Sequence, residues 1–231
     1  MKTINSICII GGGTAGWMSA AFLYNKNPKL KITIVDKEIG TPVSVGEATI
    51  LNFGSFMDQC GFDSAEWFSS IDATYKSGIL FPDWVEEGKD VWHPFFMNPT
   101  LDSGETSHDA WCKNKDLDFV EYALPMYYNS IENKVDKNEI GAYGFQIDCG
   151  KLVEYLKKKL DGKIVYMPSE AVEMFKYKNH IVKIALKNNL TITSDFFIDC
   201  SGWESLLKEP DKIDLSSRLF CDTAIATRVP Y

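Results

Sequence analysis

An apolar, β-branched run, Ile7-Cys8-Ile9-Ile10, breaks into Gly11-Gly12-Gly13 and is followed by an alanine-rich, helix-compatible segment from Met18 to Tyr24. This feature constrains the fold more than any other. Gly11, Gly13 and Gly16 fit a G-x-G-x-x-G fingerprint in the strand-turn-helix context that gives it meaning. Gly11 can turn the strand tightly, Gly13 lets backbone approach a pyrophosphate, and Gly16 lets helix and strand pack closely. Phosphates would then meet unpaired N–H groups at the positive end of the helix dipole. The next apolar run, Lys31 to Val35, reads as a second strand and ends in Asp36, 20 residues beyond Gly16. A carboxylate there is placed to grip a ribose hydroxyl. A glycine turn in some other α/β domain would explain strand and helix but not Asp36, so the pattern predicts nucleotide binding.

A chain of 231 residues can bury a sizeable core in one large domain or one and a half. The net charge of −8, with Arg218 and Arg228 as the only arginines, argues against a phosphate-reading basic face and so against nucleic acid as a partner. Cys8, Cys60, Cys112, Cys149, Cys200 and Cys221 are scattered without a C-x-x-C pair, which suggests neither a zinc site nor a dense disulfide framework. Cys8 and Cys200 read as small buried hydrophobes inside apolar strands. His93, His108 and His180 lack metal-ligand spacing and read as surface or loop residues. No signal peptide is recognisable before the first strand and no apolar run reaches bilayer length, so the expectation is a cytoplasmic protein without a membrane partner.

After Asp36, residues 39–49 form a small-residue loop in which Gly46, Glu47, Ala48 and Thr49 bring flexible backbone, a carboxylate and a hydroxyl together. It reads either as a tight connection or as backbone lying against a flat ligand. Residues 51–68 read as helical pieces broken near Gly61, with Asp63 or Ser64 as N-cap of the second. Residues 73–84 alternate as one strand, with Tyr75, Ser77, Ile79 and Phe81 on one face and Thr74, Lys76, Gly78 and Leu80 on the other. Between Val85 and Gly141 aromatics, Pro and charge dominate without sustained periodicity, as in a long excursion or an insertion lined by rings. The charged run 132–139 reads as a solvated loop. Asp148 is a candidate N-cap for a helix with an apolar stripe of Leu152, Val153, Tyr155, Leu156 and Leu160. A short strand at 163–167 precedes a meander over 171–177, 181–186 and 190–193, with turns at 179–180 and 188–189. Residues 196–199 read as a buried strand.

Five stretches carry a resemblance. Gly-Gly-Gly-Thr-Ala-Gly-Trp-Met at 11–18, Val-Gly-Glu-Ala-Thr at 45–49, Tyr-Lys-Ser-Gly-Ile at 75–79, Phe-Ile-Asp-Cys-Ser-Gly-Trp at 197–203 and Cys-Asp-Thr-Ala-Ile-Ala at 221–226 resemble the flavin-dependent tryptophan halogenase family, in order and along essentially the whole chain. The fold this implies is α/β: an FAD-binding, Rossmann-like, monooxygenase-type fold with an inserted β-meander and a mixed substrate module, truncated at the C-terminus. The family's W-x-W-x-I-P motif is absent from these residues, so the chain resembles an N-terminal portion. Residues 1–84 and 141–205 would form the FAD-binding module, and 85–140 and 206–231 part of the substrate-binding module.

The resemblance further implies reduced FAD delivered by a separate flavin reductase and a halide ion as co-substrate. A flavin hydroperoxide would yield hypohalous acid, which travels to an indole- or phenol-like aromatic substrate. Lys76 matches the essential lysine, which hydrogen-bonds the hypohalous acid or forms a haloamine. Such a role needs an amine shielded from water, because burial lowers its pKa. Gly13, Thr14, Ala15 and Gly16 would hold the pyrophosphate, and Asp36 the adenosine ribose. Gly46 to Thr49 would strap the isoalloxazine, Val172 would touch adenine, and Asp199 and Gly202 would close the flavin site. A homodimer is compatible with this scheme. The competing expectations are a related FAD-dependent monooxygenase or reductase, and an inactive truncated FAD-binding fragment.

Overall fold

The computed structural model describes residues 3–37, 46–95, 100–101, 103–113, 116, 119–123, 132, 134, 142–178, 180–207, 213–219 and 225. The chain divides into two compact units, one of Met1–Glu47, Phe56–Asp72 and Asp148–Tyr231, the other of Ala48–Ser55 and Ala73–Ile147. In chain order the elements are β1 (Ser6–Ile10), α1 (Thr14–Lys26), β2 (Lys31–Asp36), β3 (Gly46–Ala48), α2 (Phe53–Gln59), α3 (Ser64–Ser70), β4 (Thr74–Lys76), β5 (Gly78–Glu86), β6 (Lys89–Pro94), α4 (Ser107–Lys113) and α5 (Phe119–Ala123). They continue with β7 (Gly144–Asp148), α6 (Cys149–Leu160), β8 (Val165–Pro168), β9 (Ala171–Tyr177), β10 (His180–Leu186), β11 (Thr191–Thr193) and β12 (Phe196–Asp199).

The first unit is built on a four-stranded sheet of order β12-β1-β2-β8, every pair parallel, with Ile10 opposite both Asp199 and Val35. Strands β1 and β2 are central, which explains why β1 reads as a continuous apolar run and why β2 buries Ile32, Ile34 and Val35 around Thr33. Alternate residues of β1 serve two layers. Cys8 and Ile10 join Val35 and, from the antiparallel meander β11-β10-β9, Ile184 and Leu186 in one buried cluster. Ile9 belongs to the opposite layer, where it lies beneath α1 at Gly16. There α1 packs against α6. The expected stripe of α6 is buried along its length, with Leu152 and Leu156 fully so. Asp148 caps α6, its Oδ1 accepting from the Lys151 N–H at 3.0 Å. Asp63 caps α3 in the same way, accepting from the Glu66 N–H at 3.0 Å.

In the second unit β4 pairs antiparallel with β7, and β5 with β6. The run at 73–84 is therefore two strands instead of the single one its alternation suggested. The chain changes partner at Ser77, whose carbonyl accepts from the Phe95 N–H at 2.8 Å. Much of the aromatic stretch is the β5-β6 hairpin followed by α4 and α5.

Two further expectations need correction. Among the described residues strand β12 is an edge strand: Phe196 is 50% exposed and the next three residues are half-buried. A short apolar run such as Phe196-Phe197-Ile198 cannot reveal by itself whether it lies in the middle of a sheet or at its margin. Cys8 is buried in β1, but Cys200 lies just beyond β12 and is half-buried. His93, His108 and His180 are exposed, as expected, and stand on β6, α4 and β10. Among the described residues no group of His, Cys, Asp or Glu is arranged to hold a metal ion, and no helix is long and apolar enough to cross a membrane. Residues 39–45, most of the 132–139 run, Asn179, and the 221–226 stretch apart from Ile225 lie outside the described residues.

Replacing the α6 cap tests the register of this helix. Asp148→Ala leaves the Lys151 N–H without its acceptor and is expected to cost about 1 kcal/mol of stability. Urea denaturation should show a lowered midpoint with an unchanged slope.

Candidate functional site

Two backbone hydrogen bonds gather the carboxyl ends of three parallel strands. The Gly11 N–H donates to the Val35 carbonyl at 2.8 Å, and the Cys200 N–H donates to the Ile10 carbonyl at 2.7 Å. Gly11 adopts φ +108°, and a Cβ there would stand 2.1 Å from the Cys200 carbonyl oxygen. Only glycine fits this turn. A Cβ on Gly16 would lie 2.0 Å from the Gly11 carbonyl oxygen, so helix and turn are in direct backbone contact. Gly13 is the opposite case: among the described residues a Cβ there would meet nothing within 4 Å. It is the N-cap of the 13-residue α1, with no side-chain cap and no acid in the first turn. Thr14 and Ala15, which open α1, therefore present backbone N–H groups and the positive end of a dipole toward open space.

The other expected residues of the first unit lie on β2, β3, β9 and β12 and in the loop after β12, and Val172 is on the separate meander rather than at this turn. Asp36 ends β2, and one of its carboxylate oxygens, Oδ2, accepts from the Tyr166 hydroxyl of β8 at 3.2 Å. Gly46 and Glu47 begin β3, where the Glu47 Oε2 accepts from the buried Cys149 thiol at 3.3 Å. Burial first, then the hydrogen bond and negative charge of Glu47, push the Cys149 thiol up to about 11, against a smaller opposing pull from the Thr14 hydroxyl. Cys149 therefore stays protonated at neutral pH and serves as a donor. Val172 is 58% exposed on β9. Asp199 ends β12 and ties down the loop that follows: its Oδ1 accepts from the Ser201 N–H at 3.0 Å and the Ser201 hydroxyl at 2.5 Å, its Oδ2 from the Leu207 N–H at 2.8 Å. Partial burial pushes its carboxyl up. The Ser201 hydroxyl and the two N–H donors outweigh that and hold it below the ordinary carboxylate value. Gly202 starts the 3-10 turn Gly202–Glu204 inside this loop.

Ala48, Thr49 and Lys76 belong to the second unit. Thr49 is stitched to β7: its N–H donates to the Phe145 carbonyl at 2.7 Å and its Oγ1 accepts from the Phe145 N–H at 2.9 Å. Lys76 closes β4 opposite Gly144 and is half-buried, its Nζ 5.1 Å from the centroid of the Phe95 ring. Burial pushes its amine below the ordinary lysine value. The Phe95 face favours the ammonium form and opposes that shift. Strand β4 is short because the chain turns to a new partner at Ser77, and the same hydrogen bond brings Phe95 back beside Lys76.

Three residues at these sites carried no motif signal. Tyr166 is one tyrosine in a short apolar strand, Cys149 one of six scattered cysteines, and Phe95 one ring in an aromatic-rich stretch. A register for β8 against β2, pairing Ile34 with Tyr166 and Asp36 with Pro168, would have found the first.

Comparison with known proteins bears on this arrangement. Residues 6–231 match the family described as tryptophan halogenase. The chain is 28% identical to the tryptophan 6-halogenase ThaL of Streptomyces albogriseolus, over 99% of this chain and 49% of that one. It is 27% identical to the tryptophan 7-halogenase RebH of Lentzea aerocolonigenes, over 99% and 49% respectively. Among solved structures, a flavin-dependent halogenase from Xanthomonas campestris superposes with TM-score 0.78 at 28% identity, covering 89% of this chain and 44% of the other. A tryptophan 6-halogenase from Streptomyces toxytricini superposes with TM-score 0.76 at 28% identity, covering 86% and 42%. The FAD-binding, Rossmann-like α/β architecture is thus shared with these halogenases. The chain spans about half the length of the curated relatives it matches.

Two outcomes follow from the geometry. Gly13→Ala should lower the melting temperature only slightly, by the poorer N-cap, because among the described residues the new methyl group meets no atom, yet weaken FAD binding measured by fluorescence titration. Gly16→Ala should lower the melting temperature, because its methyl group collides with the Gly11 carbonyl. The Asp199 hydrogen bonds stabilise the fold fully above the unfolded carboxyl pKa of about 3.9 and are lost as pH falls through the lower folded value. The stability gap between the native chain and Asp199→Asn, followed by thermal melting against pH, should be constant above about pH 5 and close in stronger acid.

Proposed function

The chain belongs to the tryptophan halogenase family, and from that premise we propose that it carries the FAD-holding and halogen-handling part of a halogenase acting on an electron-rich, indole- or phenol-like ring. In this reading Gly13, Thr14, Ala15 and Gly16 receive the FAD diphosphate on backbone N–H groups, and Asp36 holds the adenosine ribose. Gly46 to Thr49 lie against the isoalloxazine, Val172 borders adenine, and the loop tied by Asp199 and containing Gly202 closes the site. Residues 1–84 and 141–205 form the FAD-binding module; 85–140 and 206–231 contribute to substrate binding. The fit rests on the uncapped α1, whose N-terminus at Gly13 has no atom of the described residues before it, and on the carboxylate of Asp36 beside it. Reduced FAD, supplied by a separate reductase, would provide the oxygen activation that oxidises a halide ion to hypohalous acid.

Lys76 does the remaining work. Its amine hydrogen-bonds the hypohalous acid or is chlorinated or brominated by it, and in either form presents electrophilic halogen to the ring. The observation that carries this assignment is the half-buried amine with a lowered pKa against the Phe95 face. A larger neutral fraction makes more nitrogen lone pair available at working pH. The names of the relatives support halogenation over a monooxygenase or reductase reading.

The test separates cofactor from chemistry. The chain is expected to retain FAD through gel filtration, and Lys76→Ala to retain it equally. With reduced FAD, oxygen, bromide and tryptophan, the brominated product read by mass spectrometry should fall by about 100-fold or more in Lys76→Ala. Failure to bind FAD would end the whole reading. FAD retention without product from the unsubstituted chain would leave an FAD-binding fragment, and equal product from Lys76→Ala would remove the lysine from its role.

A further inference from the structure

The end of β2 holds a carboxylate that is gripped from two sides. Asp36 Oδ2 accepts from the Tyr166 hydroxyl, 130 residues away in sequence, at 3.2 Å. The same carboxyl group rests on the bare backbone of Gly12: a Cβ there would stand 2.3 Å from Oδ2 and 2.5 Å from the carboxyl carbon. Tyr166 is itself fixed. Its ring centroid lies 5.7 Å from that of the buried Trp17, and the Lys157 Nζ sits 5.1 Å from the Tyr166 centroid and 5.7 Å from the Trp17 centroid. An ammonium over a phenol face withdraws electron density and makes the hydroxyl a better donor.

A carboxylate at the end of an isolated strand rotates about χ1 and χ2 and must be ordered when a ligand arrives. Here that cost is met before binding. We propose that Tyr166 is a positioning residue for the dinucleotide site: by donating to Oδ2 while Gly12 leaves room for the carboxyl group, it fixes Asp36 so that Oδ1 remains to accept from a ribose hydroxyl of the adenosine half. Lys157 and Trp17 hold the phenol in place for this. The inference rests on the reading that the Gly11–Gly16 turn takes the FAD diphosphate. It goes beyond that reading by assigning the orientation of the ribose grip to a strand outside the fingerprint.

The experiment adds to FAD a pair of nucleotides, ADP and its dideoxy analogue, that differ only where Asp36 would act. Dissociation constants are measured by calorimetry for FAD, for ADP and for 2′,3′-dideoxyadenosine 5′-diphosphate, with the native chain and with Tyr166→Phe. A hydrogen bond to a charged group sets the expected loss at about ten- to hundredfold for FAD and ADP. The dideoxy nucleotide, with no ribose hydroxyl to offer, should bind both proteins equally. Tyr166→Phe combined with Asp36→Asn should be no worse than Asp36→Asn alone. Gly12→Ala tests the second grip independently. Its methyl group displaces a side-chain end rather than backbone, so the chain should stay folded by thermal melting while losing ADP affinity and keeping its affinity for the dideoxy nucleotide. Equal affinity of Tyr166→Phe and native chain for ADP, or an equal loss on the dideoxy nucleotide, overturns the positioning role while FAD binding by the native chain stands. A native chain that binds neither FAD nor ADP overturns the dinucleotide reading and this inference with it.

Discussion

Everything in the first unit follows from one backbone constraint, the contact between the Gly11 carbonyl and the first turn of α1. With a Cβ on Gly16 only 2.0 Å from that oxygen, the helix can start where it does only because the position is bare. The Gly11 N–H is then free to close on Val35, bringing the end of β2 and its terminal Asp36 alongside. The parallel partner β12 delivers Cys200 to the Ile10 carbonyl on the other side. Three strand ends, an uncapped helix and a carboxylate thus meet at one place because two glycines let backbone touch backbone. Open parallel sheets place ligands at such carboxyl ends, where strand order changes direction.

Much of this was legible in the residues. The strands at 6–10 and 31–36 were readable because central parallel strands are apolar on both faces, and α6 because its stripe has helical period and its cap is an aspartate. What the pattern could not convey were properties decided by partners distant in sequence. Whether Phe196–Asp199 lies inside the sheet or at its edge depends on what covers it. The break at Ser77 depends on a hydrogen bond from Phe95, 18 residues on. Alternation continues across that break, so periodicity alone reports one strand where there are two.

The same distinction divides the candidate site residues. Glycines and the acid at the fingerprint declare themselves by spacing, since the spacing is the geometry. The residues that orient them do not. Tyr166 reaches Asp36 through a parallel pairing of β8 with β2, and Cys149 reaches Glu47 across 102 residues of sequence. Asp199 shows that a residue can be recognised by resemblance and still serve the fold in a way the resemblance does not convey. Both of its carboxylate oxygens are occupied by the loop from Ser201 to Leu207. Its contribution to the site is to hold that loop.

Lys76 brings two opposed influences onto one amine. Burial disfavours its charge, whereas the electron-rich face of Phe95 favours it. A lysine in bulk water is almost wholly protonated and has no lone pair to offer. A fully desolvated one would lose the ammonium donors that a hypohalous acid could use. Half-burial against a ring lies between these limits, with burial lowering the amine's pKa and the ring opposing that shift. The second unit achieves this by the local means already described: a strand ended after three residues and a backbone bond that carries an aromatic ring back to the amine. The ring is therefore part of how this lysine is tuned, and exchanging it for an aliphatic side chain of similar volume would remove the stabilisation of charge while keeping the burial.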